Sequence, residues 1–172
     1  MRVRVEHLPD LRIINFYLDE SVCDSALLLT PDNQYLPQFV KNIFSYAGEG
    51  RFLLSEELVS FKYKEAADVE NLRLLIMAEL EDFLADRPDI SDIKGEKDVM
   101  NLAEAVADSY IRPTLVRDKG NIEITGFSNG ILSLKFSGHC ADCPFSQNTL
   151  NNVVSKAFKR FIPEIKEIRL EK

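Results

Sequence analysis

Cys140 and Cys143 stand in the string Ser-Gly-His-Cys-Ala-Asp-Cys-Pro-Phe-Ser, residues 137–146. Two thiols three positions apart form half of a metal centre or a redox pair, because both uses need sulfurs close enough to share one ion or one disulfide. Ligand counting narrows the metal reading. A structural zinc or a cubane iron-sulfur cluster takes four ligands, and this segment offers two cysteines and the adjacent His139. Four thiolates come most simply from two chains, each giving Cys140 and Cys143 to one shared site on a two-fold axis. Such a site couples assembly and release of the metal to dimerisation, which suits a carrier better than an enzyme. His139 alternates away from the cysteines and is read as a bystander. Cys23, alone in Ser-Val-Cys-Asp-Ser, is read as a small loop residue.

The pair needs a strand to deliver it and a helix to follow it. Ile122–Phe127 and Ile131–Phe136 flank Ser128-Asn129-Gly130, a hairpin signal because Asn-Gly tolerates positive φ. In the second strand Leu132, Leu134 and Phe136 share one face. Beyond the cysteines, Leu150, Val153, Val154, Ala157, Phe158 and Phe161 make an amphipathic helix that Pro163 closes, and Ile165–Leu170 reads as a last strand. With Cys143 as cap and Pro144 as first helical residue, the positive end of the helix would face the sulfurs and favour the thiolates. Upstream, Val99, Leu102, Val106, Tyr110 and Ile111 mark a helix that Pro113 kinks or ends. The order is α-β-β-α-β.

The first half reads differently. A β-rich segment spans residues 2–18, the apolar positions 36, 39, 40, 43 and 44 predict a helix from Leu36 to Ala47 stopped by Gly48, and a hairpin follows over 51–54 and 58–63. A second helix starts after Asp68, buries Val69, Leu72, Ile76, Leu80 and Phe83, and ends before Pro88. The expectation is an α+β chain of two small domains, residues 1–87 and 98–172, joined by a polar linker at 88–97.

Composition bounds the function. Residues 1–88 hold 9 basic and 16 acidic side chains, residues 89–172 hold 12 of each, and so the net charge of -7 belongs to the first half. An acidic surface disfavours nucleic acid and anionic lipid. No stretch reaches the roughly 20 apolar residues of a membrane helix, and the opening Met-Arg-Val-Arg-Val-Glu-His has neither secretory nor transit-peptide character. Three cysteines are too few for a secreted disulfide framework, so the reading is a reducing compartment: cytoplasmic, or the mitochondrial matrix for a processed organelle protein. Residues 1–87 show no catalytic constellation or phosphate loop.

Taken together, Ile111-Arg112-Pro113, Leu115, Asp118-Lys119-Gly120-Asn121-Ile122, Gly138-His139-Cys140-Ala141-Asp142-Cys143-Pro144-Phe145-Ser146, Thr149-Leu150 and Ile162-Pro163-Glu164-Ile165 resemble the C-terminal domain of NifU-like (Nfu) proteins over residues 98–172. The first half is similar to the Nfu N-terminal domain through Leu36-Pro37, Ile43-Phe44, Phe52, Phe61 and the helix over 69–84. Leu8-Pro9-Asp10-Leu11 stands where that family usually opens with Thr-Pro-Asn-Pro. The resemblance implies a non-enzymatic iron-sulfur scaffold or carrier. It would bind a [4Fe-4S] cluster between two subunits through Cys140 and Cys143, receive it from upstream assembly factors and pass it to apo-proteins. A thiol-disulfide oxidoreductase and a dimeric zinc protein are the rivals. The first lacks a Trp before the pair and a Pro within it.

Two departures from the family carry consequences. Lys119-Gly120 replaces the family's frequent pair of glycines, which bears on the turn before the first strand. Asp142 puts a carboxylate between the cysteines, where small residues are usual. At about 5 Å and an effective dielectric near 20, each like charge costs on the order of 3 kcal/mol before screening. Asp142→Gly is therefore expected to raise the cluster's reduction potential and to slow its loss to a chelator. Unchanged potential and loss rate, measured by protein-film voltammetry and absorbance decay, would remove Asp142 from the argument.

Overall fold

The computed structural model describes residues 2–23, 26–64, 68–117, 119–138 and 153–171. The fold is α+β. It divides into two compact units, Met1–Glu96 and Lys97–Lys172.

In the first unit, β1 (Val3–Leu8) and β2 (Ile13–Leu18) are separated by a 3-10 turn at Pro9–Leu11, with Arg12 left-handed at φ 55°. The remaining strands are β3 (Leu27–Leu29), β4 (Gly50–Leu54) and β5 (Leu58–Tyr63). All pair antiparallel in the order β1-β2-β5-β4-β3. Helix α1 (Gln38–Ala47) begins where Pro37 fixes an extended cap and ends at Gly48, whose N–H donates to the Phe44 carbonyl. Helix α2 (Val69–Asp86) is capped by Asp68, whose carboxylate accepts the Asn71 N–H at 3.2 Å.

Most of the stripe foreseen for each helix is buried, while Leu36 precedes α1 and it and Val69 are partly buried. Phe39, Val40, Ile43 and Phe44 of α1 and Leu72, Ile76, Leu80 and Phe83 of α2 join Ile14, Phe16, Phe52 and Phe61 of the sheet in one core. At about 1.5–3 kcal/mol for each large side chain fully buried, this cluster is the unit's main source of stability.

Residues 88–96 run as part of this unit rather than as a free spacer. Ile90 and Ile93 pack against the core, Asn33 Nδ2 donates to the Lys94 carbonyl at 3.1 Å, and the Glu96 N–H donates to Leu28 at 2.7 Å. Gly95 permits the approach: a Cβ there would meet the Leu28 carbonyl at 2.8 Å. The stretch reads as polar because its two isoleucines are spaced among Asp, Ser and Lys.

In the second unit, α3 (Val99–Val106) is capped by Asp98, which accepts the Asn101 N–H at 3.0 Å. It passes through a π turn at Ala107–Ile111 into α4 (Arg112–Arg117). Helical structure thus continues beyond Pro113. The π turn widens the backbone just before the residue that lacks an N–H, with Arg112 N–H reaching back five residues to Ala107.

Strands β6 (Gly120–Ser128) and β7 (Ile131–Gly138) form the expected hairpin, with Asn129 at φ 51° and Gly130 at φ 79°. Its ladder carries a bulge at Thr125. Helix α5 (Ser155–Phe161) then leads to β8 (Glu167–Leu170), which pairs parallel with β7. A parallel partner needs a crossover of a dozen residues or more, and residues 139–166 supply it.

Arg112 is the cross-brace of this unit. Its side chain is 11% exposed, and its guanidinium donates to Glu104 and Asp108 at 2.7 Å each and twice to the Ile122 carbonyl, at 3.0 and 3.3 Å. Burial works against the cation. Glu104 and Asp108 more than offset it and hold its pKa above the usual arginine value. Arg112→Ala is expected to cost about 3–5 kcal/mol, because it strands a buried carboxylate and a strand carbonyl. Glu104→Gln, at a half-exposed site, is expected to cost under about 1 kcal/mol. Urea unfolding followed on the second unit's signals checks both, and equal costs would deny Arg112 this role.

Candidate functional site

Cys140, Cys143, His139, Asp142 and Pro144 lie outside the described residues, as does the start of the helix expected from residue 150. The structure fixes the two ends between which they run. On the upstream side β7 closes with the pair Gly120 and Gly138. Gly138 is left-handed at φ 65°, and a Cβ there would come within 3.0 Å of the Lys119 carbonyl. Only glycine meets both conditions, so the conformation two residues before Cys140 is dictated by backbone sterics.

Lys119 itself takes φ 56°. It occupies the turn where the resemblance expects glycine, and as a lysine it bears the left-handed strain of about 1–2 kcal/mol that glycine avoids. The Lys119 N–H closes the turn on Val116, at 3.0 Å.

On the downstream side Val154, Phe158 and Ile162 are buried, tying the helical segment into the second unit's core. Tyr110 of the π turn stacks on Phe161, ring centroids 4.5 Å apart, with the Arg160 guanidinium 5.1 Å from the same ring. After Ile162 the chain is held by the hairpin turn, since Lys166 and Glu167 both donate to the Gly130 carbonyl, at 2.8 and 3.1 Å. The motif residues on either side of the cysteines therefore do one job. Arg112, Gly120 and Gly138 set the register of the strand that enters the segment, and the residues around Ile162-Pro163 set the helix that leaves it.

Among the described residues, no group of three or more His, Cys, Asp or Glu is arranged to hold a metal. Cys23 is half-buried against the core of the first unit. No helix of the described residues is long and apolar enough to cross a membrane. Sequence reading missed the work of Arg112, although its signal was present: Glu104, Asp108 and Arg112 recur every four residues on one helix face.

Residues 104–169 match the family model of the NifU-like domain. The mitochondrial NFU1 iron-sulfur cluster scaffold homolog of Drosophila ananassae is 26% identical over 138 residues, covering 74% of this chain and 48% of its own length. That of Drosophila virilis is 27% identical over 138 residues, covering 74% and 46%. The chain spans about half the length of these curated relatives. A crystal structure of protein SAV1430 from Staphylococcus aureus superposes on 46% of this chain and 99% of its own, at 17% identity and a TM-score of 0.38.

Gly138→Ala is expected to destabilise the second unit by about 2 kcal/mol or more, combining a strained φ with a backbone clash. Lys119→Gly is expected to go the other way, gaining up to about 1 kcal/mol once unfolded-state entropy is subtracted from the relieved strain. Chemical denaturation of both variants beside the parent reads the two signs, and destabilisation by Lys119→Gly would contradict the turn geometry.

Proposed function

We propose that the protein, whose residues 104–169 match the family model of the NifU-like domain, is a non-enzymatic iron-sulfur cluster scaffold and carrier whose cargo is held by Cys140 and Cys143. One observation carries the proposal. The matched span contains a Cys-x-x-Cys pair, entered through Gly138 and left through a helix anchored by Phe158. Names of the relatives as iron-sulfur cluster scaffold homologues support the same reading.

The cargo is a [4Fe-4S] cluster shared by two subunits. Each chain supplies two thiolates, and a cubane needs four. Delivery is ligand exchange without net redox change. Iron–sulfur bonds to Cys140 and Cys143 break as cysteinates of the apo-protein form theirs, and the protons released by the incoming thiols are matched by those taken up at Cys140 and Cys143. Because half the coordination sphere belongs to each subunit, giving up the cluster also dissolves the bridge between them. Partners on this reading are upstream assembly factors, recipient apo-proteins and a second copy of the chain. The compartment is a reducing one, and the mitochondrial designation of the relatives points to the matrix.

Anaerobic reconstitution followed by iron and sulfide analysis and light scattering tests the whole proposal. About four irons and four sulfides per pair of chains are expected, with a particle of twice the 19.6 kDa chain mass. Cys143→Ser is expected to lose both. Stoichiometric iron in a monomer, zinc in place of iron and sulfide, or insulin reduction that depends on both cysteines would each overturn it.

A further inference from the structure

Along α2 the carboxylates Glu79, Asp82 and Asp86 recur at i, i+3 and i+7 and so share a face. They border a groove of about 290 Å³ between α1 and α2, lined also by Gln38, Phe39, Phe83 and Pro88. Beneath it the Phe39 and Phe83 rings pack 4.6 Å apart as part of the core, and only their edges, 4% and 7% exposed, reach the groove. The walls are acidic and include no lysine or arginine.

This charge pattern runs against helix electrostatics. Asp86 is the last residue of α2, at the negative end of its dipole, and the final turn has no basic residue to oppose it. The nearest cation in sequence, the C-capping Arg87, directs its guanidinium to the Glu20 carboxylate and the Ser21 carbonyl. Asn42 Nδ2 donates to both Glu79 oxygens, at 2.9 and 3.0 Å, and holds that carboxylate at the rim. Asp82 and Asp86 make no ion pair with any described residue.

We propose that this groove docks an arginine-bearing basic segment of a partner protein, with the guanidinium between Asp82 and Asp86 and an apolar neighbour against Pro88 and the ring edges of Phe39 and Phe83. Charge decides the occupant. Nucleic acid and anionic lipid are repelled, and a second copy would bring the same excess of seven carboxylates over residues 1–88 (16 against 9). The volume is small for an organic cofactor and suited to one anchoring side chain. Arginine fits better than lysine because its planar head pairs with carboxylates bidentately and stacks on aromatic rings. The inference does not depend on Cys140 and Cys143, so a protein that loads no cluster still tests it.

The test titrates the full ¹⁵N-labelled chain with the synthetic peptide acetyl-LRRLLRALR-amide. Chemical shifts are expected to move at residues 38, 39, 79, 82, 83 and 86, and Asp82→Lys with Asp86→Lys is expected to weaken binding about tenfold or more. The same charge change in the exposed β4–β5 turn, Glu56→Lys with Glu57→Lys, is expected to weaken it less than about threefold. Substituting Lys for Arg in the peptide is expected to weaken binding to the parent chain. Scattered shifts, or equal weakening by both double variants, would reduce the groove to generic electrostatics and overturn the proposal. So would self-association abolished by the Asp82 and Asp86 changes, which assigns the groove to a second copy, or shifts at these residues with calcium chloride alone, which assigns it to a divalent cation.

Discussion

One guanidinium holds the second unit in register. Arg112 reaches Glu104 on α3, Asp108 in the π turn and the Ile122 carbonyl on β6, so the helical stretch and the hairpin cannot slide past each other without stranding a charge. An apolar side chain of similar volume would fill the space, and buried ion pairs are often no more stabilising than such a replacement. What it could not do is select one register, because apolar contacts are non-directional whereas five N–H donors in a rigid fork are not. That register passes along β6 to Gly120 and across the ladder to Gly138. The end of β7 is therefore held in register by a contact made two residues along β6 from Gly120.

Much of this architecture was legible where local chemistry and tertiary packing agree. Asp68 and Asp98 cap helices where the patterns begin, Gly48 ends α1, and Asn129-Gly130 turns the hairpin. The reading failed where the controlling contact is remote. Leu27–Leu29 is a strand only because β4 pairs with it, and three leucines before Thr-Pro show no alternation. Residues 88–97 read as a linker because Ile90 and Ile93, partly buried against the first unit's core, are separated by polar residues. Pro113 was read as kinking the helix or ending its regular part, and the regular α-helix does stop just before it, but the π turn that carries the chain on into α4 is a property of the backbone that no side-chain period announces. The parallel pairing of β8 likewise depends on a crossover partner thirty-six residues upstream of it in register, Ile131 with Glu167.

The candidate site divides in the same way. Its chemistry is a proposal from two cysteines, which lie outside the described residues, and a count of ligands. The positioning of its upstream flank was not legible in the sequence, because Gly138 and Lys119 matter through φ values and one carbonyl contact. A glycine at the end of a strand is ordinary turn chemistry until the opposite backbone is seen to press on it. Lys119 shows that the left-handed turn is a requirement of the fold rather than of the residue: the conformation is kept even with a side chain that disfavours it.

Charge gives the two halves different physical tasks. An inorganic core held by thiolates carries net negative charge, and every nearby carboxylate raises the cost of holding it. The half that bears Cys140 and Cys143 has 12 basic and 12 acidic side chains, so it presents no net field opposing such a cargo. The excess of carboxylates is confined to the other half, where α2 carries part of it as an acidic face. Had the same acidity been spread evenly, a cluster held as proposed would be harder to reduce and to retain, and the acidic face proposed to dock a basic partner would be weaker. On the proposed function segregation serves both needs at once, and Asp142 is the place in the sequence where the separation is broken.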